Sequence, residues 1–171
     1  EYLEYHESGP SFALADHIDN LKDIIDQPEL YPKPSQIYNA VIIAIYNESY
    51  DVLQPTVQAL ANSTYDKDHM VVAIAYEERG GPEVEKTAQR IAKEYAKTFR
   101  AIEIVKHPDN MPNEVRGKGG NITYAGQYLR DWLKVERIAY SNVIVTTLDC
   151  DNRPHETYFD YVAYEYIIHP D

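Results

Sequence analysis

The sequence contains a single cysteine, Cys150, among its 171 residues. One cysteine permits no intrachain disulfide and no cysteine-based zinc site, and it suits a reducing compartment. The six histidines form no H-x-x-x-H or H-E-x-x-H pattern, which argues further against zinc. The G-x-S-x-G turn of nucleophilic hydrolases is also absent. The sequence therefore gives no support to zinc chemistry or to nucleophilic hydrolysis.

Basic residues and long apolar runs are scarce. The chain has 16 Lys and Arg against 28 Asp and Glu, a net charge of −12. This charge argues against binding to nucleic acid or to anionic lipid. The longest apolar runs, such as Ala40–Ile45 and Val143–Thr147, are far shorter than the roughly 20 residues that span a bilayer. No signal peptide is visible. Because the chain begins at Glu1 and stops just after a helical pattern, we interpret it as a piece of a longer protein.

The N-terminal part, residues 1–37, is predicted to be an amphipathic helix followed by a linker. The helix covers about Phe12–Asp26, with apolar residues at helical spacing. These residues are Leu14, Ile18, Leu21 and Ile25. Three prolines in Gln27–Gln36 prevent any helix from continuing through that stretch. Residues 38–171 are predicted to form the second unit.

That second unit alternates apolar, β-branched runs with amphipathic stretches, which predicts an α/β fold. The predicted strands are Tyr38–Tyr46, Met70–Tyr76, Ala101–Lys106 and Asn142–Leu148. The predicted helices are Asp51–Asn62, a segment starting at Pro82, Asn121–Leu133 and a segment starting at Glu156. Continuous apolar strands are typical of a mainly parallel sheet with helices on both faces. Ligands of such sheets bind outside the carboxyl ends of the strands.

Two aspartates follow the fourth predicted strand, at that ligand-binding edge. Side chains at i and i+2 of an extended segment point the same way, so Asp149 and Asp151 can converge on one cation. Mg²⁺ is usually held by one or two carboxylates together with substrate phosphates. A second D-x-D pair, Asp66 and Asp68, lies in a polar turn before a strand and is interpreted as a solvated loop.

Three other segments carry candidate binding residues. Arg116–Asn121 contains three glycines and two basic residues before a predicted helix. It matches neither a P-loop nor a G-x-G-x-x-G fingerprint, and its spacing fits an anion site and a flexible helix cap equally well. Tyr46 and Glu48 end the first strand, where the ring can stack on a base. Glu77 and Arg79 follow the second strand, where a carboxylate can accept a hydrogen bond from a base or ribose. An acidic turn is the simpler interpretation of this segment.

In chain order these sites resemble the motifs of the inverting family 2 glycosyltransferases, which have the GT-A fold. The closest likeness is to the membrane-embedded, cellulose-synthase-like branch, over about Tyr38 to Asp171. The matching segments are Ala44-Ile45-Tyr46-Asn47-Glu48 for P-x-Y-N-E, Glu77-Glu78-Arg79-Gly80 for a D-D-G-S-like turn, Gly117-Lys118-Gly119-Gly120-Asn121 for G-K-x-x-A-L-N-x-G, and Asp149-Cys150-Asp151 for D-x-D. The first two depart from the family pattern, with alanine in place of proline and glutamates in place of aspartates.

The resemblance implies a GT-A, Rossmann-like nucleotide-binding half that takes a UDP- or GDP-sugar donor. The implied donor-binding residues are Tyr46, Glu48, Glu77, Arg79, Lys118, Asn121 and Asp149. Asp151 and Asp149 would hold Mn²⁺ or Mg²⁺, and Lys118, with Arg79 or Arg153, would stabilise the leaving diphosphate.

The resemblance also implies what lies outside this chain. The general base is expected beyond Asp171, so we expect this fragment alone to be inactive. A glycan or lipid acceptor is implied, together with attachment to the cytoplasmic face of the membrane through segments outside this soluble fragment. Two rival interpretations stay open at this point: a sugar-nucleotide nucleotidyltransferase and a non-catalytic scaffold domain. The first is disfavoured because no glycine-rich loop follows the first strand.

Overall fold

A computed structural model describes residues 15–112, 114 and 117–169 of the chain. These described residues form five α-helices and four strands, with short 3-10 turns between several of them. The helices are α1 Ala15–Asp26, α2 Tyr50–Ala61, α3 Pro82–Glu94, α4 Lys118–Val135 and α5 Tyr158–Ile168. The strands are β1 Tyr38–Ile45, β2 Met70–Glu77, β3 Ala101–His107 and β4 Val143–Asp149. None of the described helices is both long enough and apolar enough to cross a bilayer.

The four strands form one parallel sheet in the order β3-β2-β1-β4. The α/β fold with a parallel sheet, predicted from the strand pattern, is thereby confirmed. The chain builds outward from β1 through β2 to β3 and then returns to the other side of β1 for β4. The strand order therefore reverses between β1 and β4. In open α/β sheets a crevice for ligands forms at such a reversal.

Helices cover both faces of the sheet, as predicted. On one face α2, α3 and α5 bury large apolar residues such as Leu53, Ile91 and Phe159 against β1 and β2. On the other face α4 packs Ala125 and Leu129 against the sheet. There the strands present small side chains, which allow the helix to approach closely. These sheet residues include Ala40, Ala73 and Ala75.

The fourth strand differs from the prediction of a buried strand. It is an edge strand that pairs only with β1 among the described strands. Val145 is 55% exposed, and Thr147 on the same face is exposed as well. The reason is that the described helix on that face, α4, packs mainly over β1, β2 and β3, which leaves the end of the sheet at β4 less covered.

The N-terminal helix also differs in detail. Within the described residues it starts at Ala15, and the predicted positions 12–14 lie outside them. Ile25 is 63% exposed, and the neighbouring Ile24 packs against the core instead. His17 Nδ1 lies 2.8 Å from the Tyr164 hydroxyl, so this helix contacts α5. The linker contains two 3-10 turns, Pro28–Leu30 and Pro34–Gln36, and no α-helix.

Candidate functional site

A cavity of about 450 Å³ opens at the carboxyl edge of the sheet, between the ends of β1 and β4. This is the point at which the strand order reverses. Its lining includes all eight side chains that the sequence singled out for donor or metal binding. They are Tyr46, Glu48, Glu77, Arg79, Lys118, Asn121, Asp149 and Asp151. The structure thus brings these residues together, while their binding roles stay predictions.

The two aspartates stand at the end of β4 with their side chains exposed. Asp149 is the last strand residue, and Asp151 follows in the turn. The turn is closed by Asn152, whose side chain accepts from the Asp149 N–H at 2.9 Å. The Asn152 N–H in turn donates to the Asp149 carbonyl at 3.1 Å. This exchange holds the backbone of the D-x-D segment in place.

A buried threonine on α2 holds the residue between the aspartates. The Thr56 hydroxyl donates to the Cys150 carbonyl oxygen at 2.6 Å, and Thr56 is fully buried. Cys150 packs partly against the core, as expected for a side chain that alternates with two outward aspartates. Thr56 was not singled out from the sequence, although it occupies a position of the buried stripe of α2.

The donor set at this edge fits a hard divalent cation. Asp149 and Asp151 offer carboxylate oxygens to the same cavity. Within the described residues no three His, Cys, Asp or Glu side chains group closely enough to hold a metal by themselves. A cation here would take its remaining ligands from phosphate and water, which is how Mg²⁺ is commonly bound. The two aspartates would hold it and leave the opposite side open to an anionic ligand.

The glycine-rich segment forms the start of α4. Gly117 precedes the helix with φ +145°, a conformation that a residue with a Cβ rarely adopts. Lys118 is the first helical residue, and its ammonium forms an ion pair with Asp149. The first N–H groups of a helix have no carbonyl partner within it, and they carry partial positive charge. Lys118 and the helix start therefore form a positive side of a largely acidic cavity. Arg116 lies outside the described residues.

Asn121 fastens this helix start to the sheet. It is 1% exposed, and its Nδ2 donates to the Ala75 carbonyl at 2.9 Å and to the Ile45 carbonyl at 3.3 Å. These carbonyls lie near the carboxyl ends of β2 and β1, so the Asn121 amide links the two strands. The two acceptors fix the orientation of the amide because the opposite flip would face oxygen with oxygen.

Arg79 and Glu77 form the second ion pair of the cavity. Glu77 is 5% exposed, and Arg79 Nε donates to its Oε2. The Arg79 guanidinium also lies 4.7 Å from the centre of the Tyr46 ring. A Cβ at Gly80 would collide with the Tyr46 carbonyl, so only glycine allows the ends of β1 and β2 to approach this closely. Tyr46 is 41% exposed, which leaves the rest of its ring accessible.

Glu48 has a local structural role. Its Oε2 accepts from the Tyr46 N–H at 2.6 Å and from the Asn47 N–H at 3.1 Å. Burial opposes ionisation of Glu48, but these backbone donors outweigh it and hold the pKa of the carboxyl below its ordinary value. Burial, and then the negative charge of Glu48, raise the pKa of the Cys150 thiol to about 11.

A smaller cavity of about 230 Å³ adjoins the first and shares Glu77 and Arg79 with it. His107, at the end of β3, is 5% exposed, and its Nε2 lies 2.9 Å from Glu114 Oε1. Both residues line this cavity. His107 follows the third predicted strand and so stood at the edge of the sheet where ligands bind, whereas no motif singled out Glu114.

Arg153 and the second D-x-D pair lie away from the cavity. Arg153 is exposed, and the lining of the cavity does not include it. Asp66 and Asp68 stand before β2, where the Asp66 carboxylate accepts from the Asp68 N–H at 3.0 Å and contacts His69. Both aspartates are exposed, which agrees with the interpretation of this second D-x-D pair as a solvated loop.

Comparison with known proteins finds similar folds among solved structures. No family model matches the sequence, and no curated protein matches it. A solved structure with a similar fold is the mannosyltransferase PcManGT from Pyrobaculum calidifontis, in complex with GDP-Man and Mn²⁺. The TM-score is 0.53 and the sequence identity is 18%, over 90% of this chain. The chain therefore shares the α/β fold of that structure over this range. It spans 43% of the length of that neighbour.

Proposed function

We propose that this chain binds a nucleotide-diphospho-sugar donor through a divalent cation held by Asp149 and Asp151. In the full-length protein the domain would transfer the sugar, with inversion, to an acceptor hydroxyl in polysaccharide or glycolipid synthesis. The observation that carries this proposal is the convergence of both aspartates, Lys118 and Arg79 on one cavity at the β1/β4 reversal.

The charges of the cavity explain why a cation is needed. Among the described residues that line it, four are carboxylates and two are basic, which is an excess of two negative charges. A diphosphate entering alone would meet net repulsion. A divalent cation removes that excess, and when bound it would neutralise charge that builds on the leaving diphosphate.

The side chains of the chain itself have distinct roles in this proposal. Lys118 and the start of α4 face the diphosphate and stabilise its negative charge. Tyr46 stacks on the base or ribose, with Arg79 holding the ring in position. Glu77, at the boundary of the two cavities, accepts a hydrogen bond from the nucleoside. Glu48 acts indirectly, by shaping the turn that carries Tyr46.

The likeness to a mannosyltransferase complexed with GDP-Man and Mn²⁺ supports this proposal. The order of the four motifs supports a finer one, in which the protein is a family 2 enzyme of the cellulose-synthase-like branch. The general base and acceptor would then be supplied from outside this chain. Residues 38–171 would form the donor-binding unit, and membrane segments elsewhere would hold it at the cytoplasmic face.

Calorimetry of the 171-residue chain tests the proposal. GDP, UDP and their sugar conjugates are titrated with Mn²⁺, with Mg²⁺ and with EDTA. We expect at least one diphosphate to bind, and we expect EDTA or Asp151→Asn to abolish that binding. Asp68→Asn is the matched control because it removes the same charge from the other D-x-D pair. Affinity that survives both EDTA and Asp151→Asn excludes the metal bridge, and the absence of any nucleotide affinity favours a scaffold.

A further inference from the structure

The ion pair between Lys118 and Asp149 joins the two sides of the cavity. Lys118 opens α4, and Asp149 closes β4. Their side chains are 50% and 55% exposed, so neither is fixed by burial. Asp149 is one of the two carboxylates that would hold a cation. The Lys118 ammonium already occupies a position next to this carboxylate.

We infer that Lys118 is a built-in counter-ion for Asp149, which an arriving divalent cation must displace. This inference rests on the proposed role of Asp149 in cation binding. Once released, the Lys118 ammonium is free to pair with the diphosphate. Lys118 thus pairs with the Asp149 carboxylate when the cavity is empty and with the diphosphate when the donor is bound.

The two ion pairs of the cavity differ in the property that this exchange requires. Glu77 is 7% exposed in its side chain, and Arg79 is additionally stacked on Tyr46, so that pair is fixed. Lys118 stands on a flexible four-carbon stem at an exposed helix start, and it can swing without opening the core. Asp149 stays in place because β1 and Asn152 hold its backbone.

The exchange makes cation and diphosphate binding cooperative. A cation that binds alone must break the ion pair and leave Lys118 without a carboxylate. When diphosphate is present, Lys118 gains a new anionic partner, and the cost of displacing it is recovered. By linkage, each ligand then raises the affinity of the other. Removal of the Lys118 charge should strengthen the binding of cation alone and weaken this cooperativity, two effects of opposite sign.

Electron paramagnetic resonance titration with Mn²⁺ alone tests the first effect. Lys118→Met should bind Mn²⁺ about threefold to tenfold more tightly than the parent chain, because it removes one repulsive charge and one competing ion pair. Lys106→Met is the matched control. Lys106 is 45% exposed and also pairs with a carboxylate, Glu78 at 3.1 Å, but it lies outside the cavity. The Lys106→Met variant changes the net charge by the same amount as Lys118→Met and should leave Mn²⁺ affinity unchanged.

Two further sets of Mn²⁺ titrations test whether the change in affinity depends on Asp149 and on bound nucleotide. In an Asp149→Asn background, Lys118→Met should raise Mn²⁺ affinity much less than it does in the parent chain, because the carboxylate for which lysine and cation compete is gone and only the charge repulsion remains. Saturating GDP or UDP should raise the Mn²⁺ affinity of the parent chain more than that of Lys118→Met. Lys118→Gln repeats each measurement with a polar side chain, and circular dichroism checks that every variant is folded.

The outcomes separate the inference from the proposed function. Equal Mn²⁺ affinity in Lys118→Met and the parent overturns the displacement, as does an equal gain in Lys106→Met, which would indicate a general charge effect. Weaker Mn²⁺ binding in Lys118→Met overturns it too. If the parent shows metal-dependent nucleotide affinity in any of these cases, the proposed function stands. If it shows none, the proposed function fails as well.

Discussion

The Thr56 hydroxyl donates to the carbonyl oxygen of Cys150, 94 residues away in sequence, at 2.6 Å. This bond connects the core face of α2 with the turn that carries Asp149 and Asp151. The Thr56 hydrogen bond goes to the backbone between the two aspartates and fixes it there. We therefore expect Thr56 to be a positioning residue for the cation site.

Replacement of Thr56 by valine should affect stability and metal-dependent affinity together. Valine fills the same space but leaves the Cys150 carbonyl without its donor, which should lower the free energy of unfolding by about 1–2 kcal/mol. Affinity for the Mn²⁺–nucleotide pair should fall about tenfold, as for other residues that orient metal ligands. Urea unfolding and calorimetry measure the two effects. Thr56→Ser keeps the hydroxyl and is the control; an equal loss of affinity in the serine variant would contradict this role.

Asn121 offers a prediction about the junction of α4 with the sheet. In Asn121→Asp a carboxylate faces the carbonyls of Ile45 and Ala75, which can only accept hydrogen bonds. We expect the free energy of unfolding to fall by about 2–4 kcal/mol at pH 7. Gln127→Glu adds the same charge at an exposed position of the same helix and should change stability little. Similar losses in both variants would show that the buried amide has no special role.

The sequence predicted the sheet and its helices because its strands are nearly unbroken apolar runs. The strand ends agree with the structure within a residue, as for β1, predicted as Tyr38–Tyr46 and found as Tyr38–Ile45. The cavity was also foreseeable in outline, because parallel strands bring their carboxyl ends to one edge. The order of the strands was not predicted, since the apolar pattern of a strand carries no record of its neighbours.

The helix faces show where the pattern failed. In α2 the apolar Val52 is 39% exposed, whereas the polar Thr56 is fully buried. With Leu53 and Leu60, Thr56 keeps helical spacing, so a polar residue inside an apolar stripe was the available signal for a specific hydrogen bond. The Lys118–Asp149 pair had no such signal. It depends on how α4 is placed relative to β4, which only tertiary packing determines.

The reactivity of Cys150 tests the electrostatics of the cavity. Burial and the nearby Glu48 raise its pKa to about 11, so at pH 8 only about a thousandth of the thiol is ionised. Because the thiolate is the reactive form, alkylation by iodoacetamide should be slow at pH 8 and rise roughly tenfold per pH unit toward pH 11. Glu48→Gln removes the negative charge and should speed the reaction at pH 8.

The same cysteine in the unfolded chain provides the reference for this measurement. In guanidinium chloride the thiol should react as an ordinary cysteine, with a rate that levels off near pH 9. A folded chain whose rate also levels off between pH 8 and 9 would contradict the buried, acidic surroundings of Cys150. Mass spectrometry of the alkylated chain follows both rates, and the assignment is simple because the sequence has one cysteine.

Anomalous diffraction from crystals grown with Mn²⁺ and GDP or UDP tests the cation site most directly. We predict one strong manganese peak within coordination distance of the carboxylate oxygens of Asp149 and Asp151, with the diphosphate on its open side and Lys118 turned toward the phosphates. A nucleotide bound in the cavity with no manganese peak there would contradict the account, as would a peak confined to Asp66 and Asp68.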